Sequence, residues 1–190
     1  MKTALLASYT KDADLIRLAN VLKNNDWQIL GSAGTAKYLN ENNISCDDVA
    51  TIVGPPILGH RVVTLSRELH AGLLALPSDQ AELDKLGVPR IDLVYVTLDP
   101  LEEAVANRAN PHEVIEKTDI GGPTLLRSAA KGRRLVLSNS AQIDDVQAFI
   151  EAGEPETERE NLINRLVAAE ERRVAMYVDV SAAYWESQIQ

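Results

Sequence analysis

One short segment of the chain combines an acid, a pair of glycines and two cations. Asp119 precedes Gly121 and Gly122, and a proline suited to the first turn of a helix follows them. Glycine permits tight or left-handed turns and lets a ligand approach the main chain closely. Arg127 and Lys131 are four residues apart, so both cations project from one face of the predicted helix. The pattern fits a loop that holds a small anion, and it fits equally well an ordinary helix with a solvated basic edge.

Short apolar runs alternate with amphipathic stretches on either side of this segment. Strands are predicted at residues 4–8, 27–30, 91–98 and 135–137, and helices at residues 14–23, 35–41 and 141–152. The nearly continuous apolarity of residues 91–98 is typical of a central parallel strand that is buried on both faces. The alternation predicts an α/β fold, a three-layer sandwich with a mainly parallel sheet, followed by C-terminal helices from residue 157.

Ligands of open parallel sheets bind beyond the carboxyl ends of the strands, where helix N-termini face the crevice. The polar or glycine residues predicted at those ends are Tyr9, Lys11, Ser32, Gly34, Thr35, Thr97 and Asp99. The loop from Ser32 to Thr35 has two hydroxyls and a glycine before a helix, which suits a phosphate. A plain strand-to-helix turn capped by Thr35 has the same composition.

The segment Thr-Asp-Ile-Gly-Gly-Pro-Thr-Leu-Leu-Arg-Ser-Ala-Ala-Lys, residues 118–131, resembles the signature of the inosine-monophosphate cyclohydrolase domain, a member of the methylglyoxal-synthase-like superfamily. Other segments resemble that domain in the same order: the first strand with Lys11, Ser32-Ala33-Gly34-Thr35-Ala36-Lys37, Arg61-Val62-Val63-Thr64-Leu65 with His70-Ala71-Gly72, and residues 171–185. In the family this domain is normally fused to a formyltransferase. The resemblance covers the cyclohydrolase half, so a separate formyltransferase is an expected partner.

The resemblance implies dehydrative ring closure of a formylated aminoimidazole carboxamide ribonucleotide in purine biosynthesis, with no metal and no cofactor. It implies that Asp119 and Lys131 are catalytic. Substrate contacts are implied for the matching residues Lys11, Ser32, Gly34, Thr35, Arg61, Thr64, Gly121, Gly122 and Arg127, with Lys11 and Arg61 supplying charge to a phosphate. Further candidates are Tyr9, Val63, Thr97, Asp99 and His70. At three of these positions the family has another residue: a lysine at Val63, an asparagine at Thr97 and a tyrosine at Asp99.

Two other functions stay open. Val63 carries no charge, and Asp99 adds a negative charge near Asp119, which favours a non-catalytic relative that only binds a purine ribonucleotide. Asp99-Pro100-Leu101 and His112 resemble loops of methylglyoxal synthase, which favours another enzyme of that superfamily.

Composition narrows the class of protein. The chain has 190 residues and a formal net charge of −9. This charge argues against nucleic-acid binding, which requires a basic face, but not against a small anion. The apolar runs are far shorter than a membrane span. The single cysteine, Cys46, excludes an internal disulfide and fits the cytoplasm.

The organisation expected from these observations is an α/β nucleotide-binding domain over residues 1–153 and a helical extension over residues 154–190. The extension is expected to pack on the domain or on a partner subunit. Apolar and aromatic residues recur there at helical spacing and predict a homodimer face. They are Met176, Tyr177, Tyr184 and Trp185.

Overall fold

The computed structural model describes residues 1–59 and 61–189 as an α/β fold around one five-stranded sheet. The strands are β1 Thr3–Ser8, β2 Gln28–Gly31, β3 Asp47–Asp48, β4 Leu93–Thr97 and β5 Leu135–Leu137. They lie in the order β3-β2-β1-β4-β5, and each neighbouring pair is parallel. The predicted α/β class and parallel sheet are confirmed.

Ten α-helices are found in the described residues. They are α1 Ala13–Asn24, α2 Ala33–Glu41, α3 Ala50–Val53, α4 Arg67–Leu74, α5 Gln80–Leu86, α6 Leu101–Ala106, α7 Pro111–Glu116, α8 Gly121–Lys131, α9 Ile143–Glu151 and α10 Glu156–Glu186. Short 3-10 turns at Pro77–Asp79 and Ser140–Gln142 precede α5 and α9. Among the described residues, no helix is both long enough and apolar enough to span a membrane.

The order of the strands fixes both the layers and the position of a crevice. From β1 the chain steps to β2 and β3 in one direction, and it later crosses to β4 and β5 in the other. Right-handed crossovers therefore put α1 and α2 on one face of the sheet and α8 on the opposite face, which makes three layers. Leu5 of β1 pairs with Leu30 on one side and Val94 on the other, and all three are buried. The strand order reverses between β1 and β4, so a crevice opens at their carboxyl ends.

The helices begin where the sequence provides caps. The Asp12 carboxylate accepts a hydrogen bond from the Leu15 amide at 3.0 Å at the start of α1. The Ser66 hydroxyl accepts one from the Leu69 amide at 3.1 Å at the start of α4. Each cap satisfies an amide that has no partner inside its own helix. The short helices α3 to α6 were not predicted from the sequence. The helix α3 ends at Val53, where the largely exposed proline-containing connection begins, and α4 to α6 follow that connection.

The C-terminal residues form one 31-residue helix, α10, that packs against α6, α8 and β5. Tyr177 is only 2% exposed, because its side chain is buried in its own chain. Met176 and Trp185 are exposed, but nine residues at about 100° each put them on opposite sides of the helix. The prediction that Met176, Tyr177, Tyr184 and Trp185 form one apolar dimer face is therefore wrong.

The buried charged side chains of Arg134 and Glu170 differ in whether they have hydrogen-bond partners. Arg134 donates from Nε to the Leu73 carbonyl at 2.8 Å and from Nη2 to the Ala75 carbonyl at 2.5 Å. These bonds close the C-terminal end of α4. Glu170 of α10 is fully buried, and within the described part of the chain neither of its carboxylate oxygens has a hydrogen-bond partner. Burial raises the pKa of Glu170 to about 7.

Candidate functional site

A cavity of about 640 Å³ opens where the strand order reverses. The loops after β1, β2 and β4 form its inner wall, as expected for the carboxyl edge of a parallel sheet. Residues of these loops that line the cavity are Ser8, Tyr9, Lys11, Ser32, Gly34, Thr97 and Asp99. Arg61, Val63 and Thr64 line it from the connection before α4, and residues 118–122 line it from the loop before α8.

The hydroxyl of Thr97 orders the loop after β1. Thr97 Oγ1 accepts hydrogen bonds from the amides of Tyr9 at 2.7 Å and Thr10 at 3.2 Å. It also lies 2.8 Å from Ser8 Oγ and 3.2 Å from Thr10 Oγ1. Thr97 therefore fixes the backbone that carries Tyr9 and Lys11 to the cavity.

Thr35 has a different position from the one predicted. The helix α2 begins at Ala33, so Thr35 lies inside its first turn and is fully buried. Thr35 Oγ1 accepts hydrogen bonds from the Ser8 amide at 3.1 Å and from Ser32 Oγ at 3.0 Å. The prediction that Thr35 caps the helix is wrong, because α2 begins before it and its hydroxyl ties α2 to the end of β1. Its contact with a ligand stays a prediction. Gly34 faces open space, with Lys11 Cε at 3.8 Å as the atom nearest to an added Cβ.

Two cations lie at the cavity, and both have acceptors in the protein. Lys11 Nζ donates to the carbonyl of Ser8 and, at 3.4 Å, to that of Tyr9. Burial lowers the pKa of Lys11, and the nearby carboxylates of Asp99 and Asp12 oppose that effect. The exposed Arg61 forms a 2.7 Å ion pair with Glu116. A bound anion would therefore attract Lys11 and Arg61 in competition with these acceptors.

The glycine pair makes room for Asp119. Gly121 and Gly122 are the first two residues of α8, and neither has the positive φ of a left-handed turn. A Cβ on Gly121 would lie 2.7 Å from Thr64 Oγ1, and one on Gly122 would collide with Asp119 Oδ2. Asp119 Oδ1 accepts the Gly122 amide hydrogen at 2.8 Å, which sets the carboxylate at the positive end of the helix. Small residues are therefore required by packing against Asp119 and Thr64.

Asp99 and Asp119 line the same cavity, as does Glu116, which is paired with Arg61. Burial raises the pKa of Asp119, and the charge of Asp99 acts in the same direction. The amide of Gly122, which donates to the Asp119 carboxylate, partly opposes this rise. A carboxyl group whose pKa lies closer to neutrality can both accept and return a proton, as acid–base catalysis requires.

The outer wall of the cavity is largely apolar, and sequence reasoning missed it. Ile115 and Ile120 line the cavity beside Val63 and are more than half exposed. The ring of Tyr9 stands near them, with Lys117 Nζ 5.4 Å from its centroid. Ile115 and Ile120 are close to Asp119 in the sequence, but the sequence alone does not show that their side chains are exposed at the cavity. The cavity thus combines a hydroxyl, glycine and cation end with an apolar side, which suits a phosphorylated heterocycle.

Besides Thr35, three predicted site residues do not line this cavity: Lys131, Arg127 and His70. Lys131 is at the end of α8, ten residues from its start, and α-helical rise puts about 15 Å between the ends. Lys131 and Arg127 border a separate groove with Leu74, and Arg127 pairs with Glu171 of α10. The prediction that α8 aims Lys131 toward Asp119 in the same chain is therefore wrong. His70 of α4 faces α8, where its Nδ1 is 2.9 Å from Ser128 Oγ, and burial lowers its pKa.

No group of three or more His, Cys, Asp and Glu side chains that could hold a metal ion occurs in the described ranges. The charged side chains that line the cavity are those of Asp99, Glu116, Asp119, Lys11 and Arg61, and hydroxyl groups such as those of Ser32 and Thr64 lie beside them.

Comparison with known proteins identifies the fold family. The sequence profile described as the MGS-like domain matches residues 14–124, which is more than half of the chain. The chain belongs to the MGS-like family. The matched residues begin inside α1, after β1, and extend through β4 to the first residues of α8. All of the loops after β2 and β4 that line the cavity are thus inside the MGS-like match.

The relatives of this MGS-like chain include longer proteins. The bifunctional purine biosynthesis protein PurH of Persephonella marina is 38% identical over 135 residues, which is 69% of this chain and 26% of that protein. PurH of Cutibacterium acnes is 37% identical over 192 residues, which is 97% of this chain and 36% of that protein. The chain therefore spans about a quarter to a third of the length of these relatives. The crystal structure of ForH superimposes with a TM-score of 0.72 and 31% identity, covering 95% of this chain and 98% of that one.

Proposed function

We propose that this MGS-like domain is an inosine-monophosphate cyclohydrolase. The observation that carries the proposal is the partly buried carboxylate of Asp119 at the start of α8, inside a cavity that also contains hydroxyl, glycine and cation groups suited to a phosphate. The similarity to PurH, which reaches 97% of this chain, supports a role in purine biosynthesis.

The proposed reaction joins two groups of one substrate. The carboxamide nitrogen attacks the formyl carbon, and the formyl oxygen becomes a hydroxyl that leaves as water. In the whole step one proton passes to that oxygen from the carboxamide nitrogen and one from the formamide nitrogen, which ends with a double bond to the former formyl carbon. Asp119 is proposed to accept and return these protons, and the raised pKa of its carboxyl group suits both directions. Ser32, Gly34, Lys11 and Arg61 are proposed to hold the phosphate, while Ile115 and Ile120 contact the heterocycle.

Lys131 is proposed to act on the cavity of a second copy of the chain. Lys131 is too far from Asp119 along α8 to reach the cavity of its own copy. Its side chain is exposed. The groove that it borders also contains the exposed apolar side chain of Leu74, which suits a protein contact. We therefore propose a homodimer in which each copy supplies Asp119 to one site and Lys131 to the other.

One observation favours a second candidate function, a non-catalytic protein that binds a purine ribonucleotide. Val63 and Asp99 both line the cavity, at the positions where the cyclohydrolase family has a lysine and a tyrosine. Neither Val63 nor Asp99 offers the ammonium or phenol group of the family residue, which favours binding without turnover. For a methylglyoxal synthase, by contrast, His112 offers no support, because it is exposed at the start of α7 and is not among the residues lining the cavity.

The deciding experiment incubates the purified chain with the formylated ribonucleotide and measures inosine monophosphate. Asp119→Asn is the test variant, since asparagine still accepts the Gly122 amide hydrogen but cannot take a proton; a loss of about 10²-fold or more is expected. Asp179→Asn, on an exposed part of α10, removes the same charge far from the cavity and should be neutral. Turnover that survives in Asp119→Asn would refute the assigned role.

A double variant separates the two candidate functions. Val63→Lys with Asp99→Tyr restores the residue types of the family at the cavity wall. If the wild type binds the ribonucleotide without turnover and the double variant gains turnover, the chain is a binding protein. If neither binds it, the proposed ligand is wrong.

The dimer proposal has its own test. Asp119→Asn and Lys131→Met should each be inactive alone. Mixed and allowed to exchange subunits, they form heterodimers in which one site has both wild-type residues, so activity should return. Persistent inactivity in a verified heterodimer, or a monomer at micromolar concentration, would contradict the shared site.

A further inference from the structure

The loop that carries Asp119 is attached to α10 by a single side chain. Tyr177 Oη accepts a hydrogen bond from the Asp119 amide at 2.8 Å and donates one to the Lys117 carbonyl at 3.0 Å. One phenol therefore engages main-chain groups on both sides of Thr118. These two bonds cross 58 and 60 residues of sequence, so they are tertiary contacts.

Tyr177 is itself held firmly. Its ring is almost fully buried, and the Arg173 guanidinium lies 5.5 Å from the ring centroid. Arg173 in turn forms a 2.5 Å ion pair with Glu102 of α6. Burial raises the pKa of Tyr177 to about 12, so the phenol keeps the proton that it donates to Lys117 throughout the physiological range.

Asp119 is held by two hydrogen bonds, one to its backbone amide and one to its side-chain carboxylate. On the N-terminal side, its amide is bound to Tyr177; on the C-terminal side, its carboxylate is bound to the Gly122 amide. The main-chain bond sets where Cα lies, and the side-chain bond sets how the carboxylate points into the cavity. A small displacement of a catalytic group can reduce turnover many-fold without changing how the substrate binds.

We propose that Tyr177 is a positioning residue: it holds the backbone of Asp119 at the distance from the substrate that proton transfer requires, and it makes α10 part of the site. The inference rests on the proposed function, but it concerns a residue outside the cavity. The residue acts through the 117–119 backbone and does not touch the substrate.

The test compares Tyr177→Phe with Tyr184→Phe. Both variants remove one phenolic hydroxyl from α10, and Tyr184 packs against Trp185 away from the 117–119 loop. For Tyr177→Phe we expect kcat to fall about tenfold and KM to change less than about twofold. Amide hydrogen exchange at Asp119 should accelerate about tenfold or more, while that of the α10 core stays unchanged. Tyr184→Phe should match the wild type in every measurement.

Three results would overturn the proposal. The first is unchanged kcat together with unchanged exchange at Asp119. The second is a change confined to KM, which would mean a role in substrate binding. The third is faster exchange along the whole of α10, which would mean general loosening. If the wild type lacks turnover, the proposed function fails, and the exchange rate of Asp119 still decides whether Tyr177 holds the loop.

Discussion

Replacing Glu170 with glutamine should stabilise the protein at alkaline pH and leave its stability nearly unchanged at acidic pH. Glu170 is buried on the same stripe of α10 as Leu166 and Val174, and neither of its oxygens has a hydrogen-bond partner in the described residues. An ionised carboxylate in such a place loses its hydration without compensation. Burial is the main cause of its raised pKa; Glu171 raises it further, and Arg127 lowers it.

The size and sign of the effect follow from proton linkage. The pKa of Glu170 is raised from 4.5 to about 7 on folding. The free energy of unfolding of the wild type is therefore highest below pH 4.5. It decreases as the pH rises to about 7, and it stays at the lower value at higher pH, where Glu170 is ionised in the folded protein. Each pH unit between the two values is worth about 1.4 kcal/mol, so the whole loss is about 3 kcal/mol, an upper limit for a site that can relax. Glutamine does not titrate, so its variant lacks this loss.

The assay is urea-induced unfolding of both proteins at constant ionic strength from pH 5.5 to 8.5. The free energy of unfolding of Glu170→Gln minus that of the wild type should increase by about 2 kcal/mol over this interval. Glu186→Gln is the matched control, because it removes the same charge from the exposed C-terminal end of α10, away from Glu170. Its difference from the wild type should vary by less than about 0.5 kcal/mol with pH. A difference for Glu170→Gln that is constant with pH, or that decreases toward alkaline pH, would refute the reasoning.

Substitutions at three other positions, Gly34, Gly122 and Asp12, test the packing and the cavity. Gly34→Leu should fold but bind a purine ribonucleotide about tenfold more weakly in calorimetry, because its side chain enters the cavity. Gly34→Ala should fold normally, since the atom nearest to its Cβ is 3.8 Å away. Equal binding by the leucine variant would exclude Gly34 from the ligand site. Gly122→Ala should lose about 1–3 kcal/mol of stability in thermal unfolding, because its Cβ collides with the Asp119 carboxylate; an unchanged midpoint would contradict that packing. Asp12→Ala should lose about 1 kcal/mol in urea unfolding through the missing cap of α1, and a neutral result would mean that water replaces the cap.

Parts of this structure were predictable because they depend on local sequence. The run at residues 91–98 predicted β4, since a strand buried on both faces must be apolar nearly throughout. The loop residues Lys11, Ser32 and Asp99 could be assigned to one cavity, because the carboxyl ends of parallel strands share an edge.

Other parts depend on contacts between distant segments. Lys131 was wrongly assigned to the side of Asp119, since residue spacing gives the face of a helix but not the distance between its ends. Tyr177 was interpreted as part of a dimer face, because nothing in the sequence indicates that a phenol will meet a backbone 58 residues away. The short helices α3 to α6 lack the long apolar periodicity that identifies a helix from sequence.

The sheet's two edge strands bear on how the protein behaves when it is concentrated. An unpaired edge invites the strand of another molecule, and long, flat apolar edges lead to aggregation. Here β3 consists only of Asp47 and Asp48, whose charges would repel the same edge of a neighbour. At the opposite edge β5 has three residues and packs against α10. Self-association through growth of the sheet is thus disfavoured at both ends, which leaves helical surfaces as the route by which copies of this chain can meet.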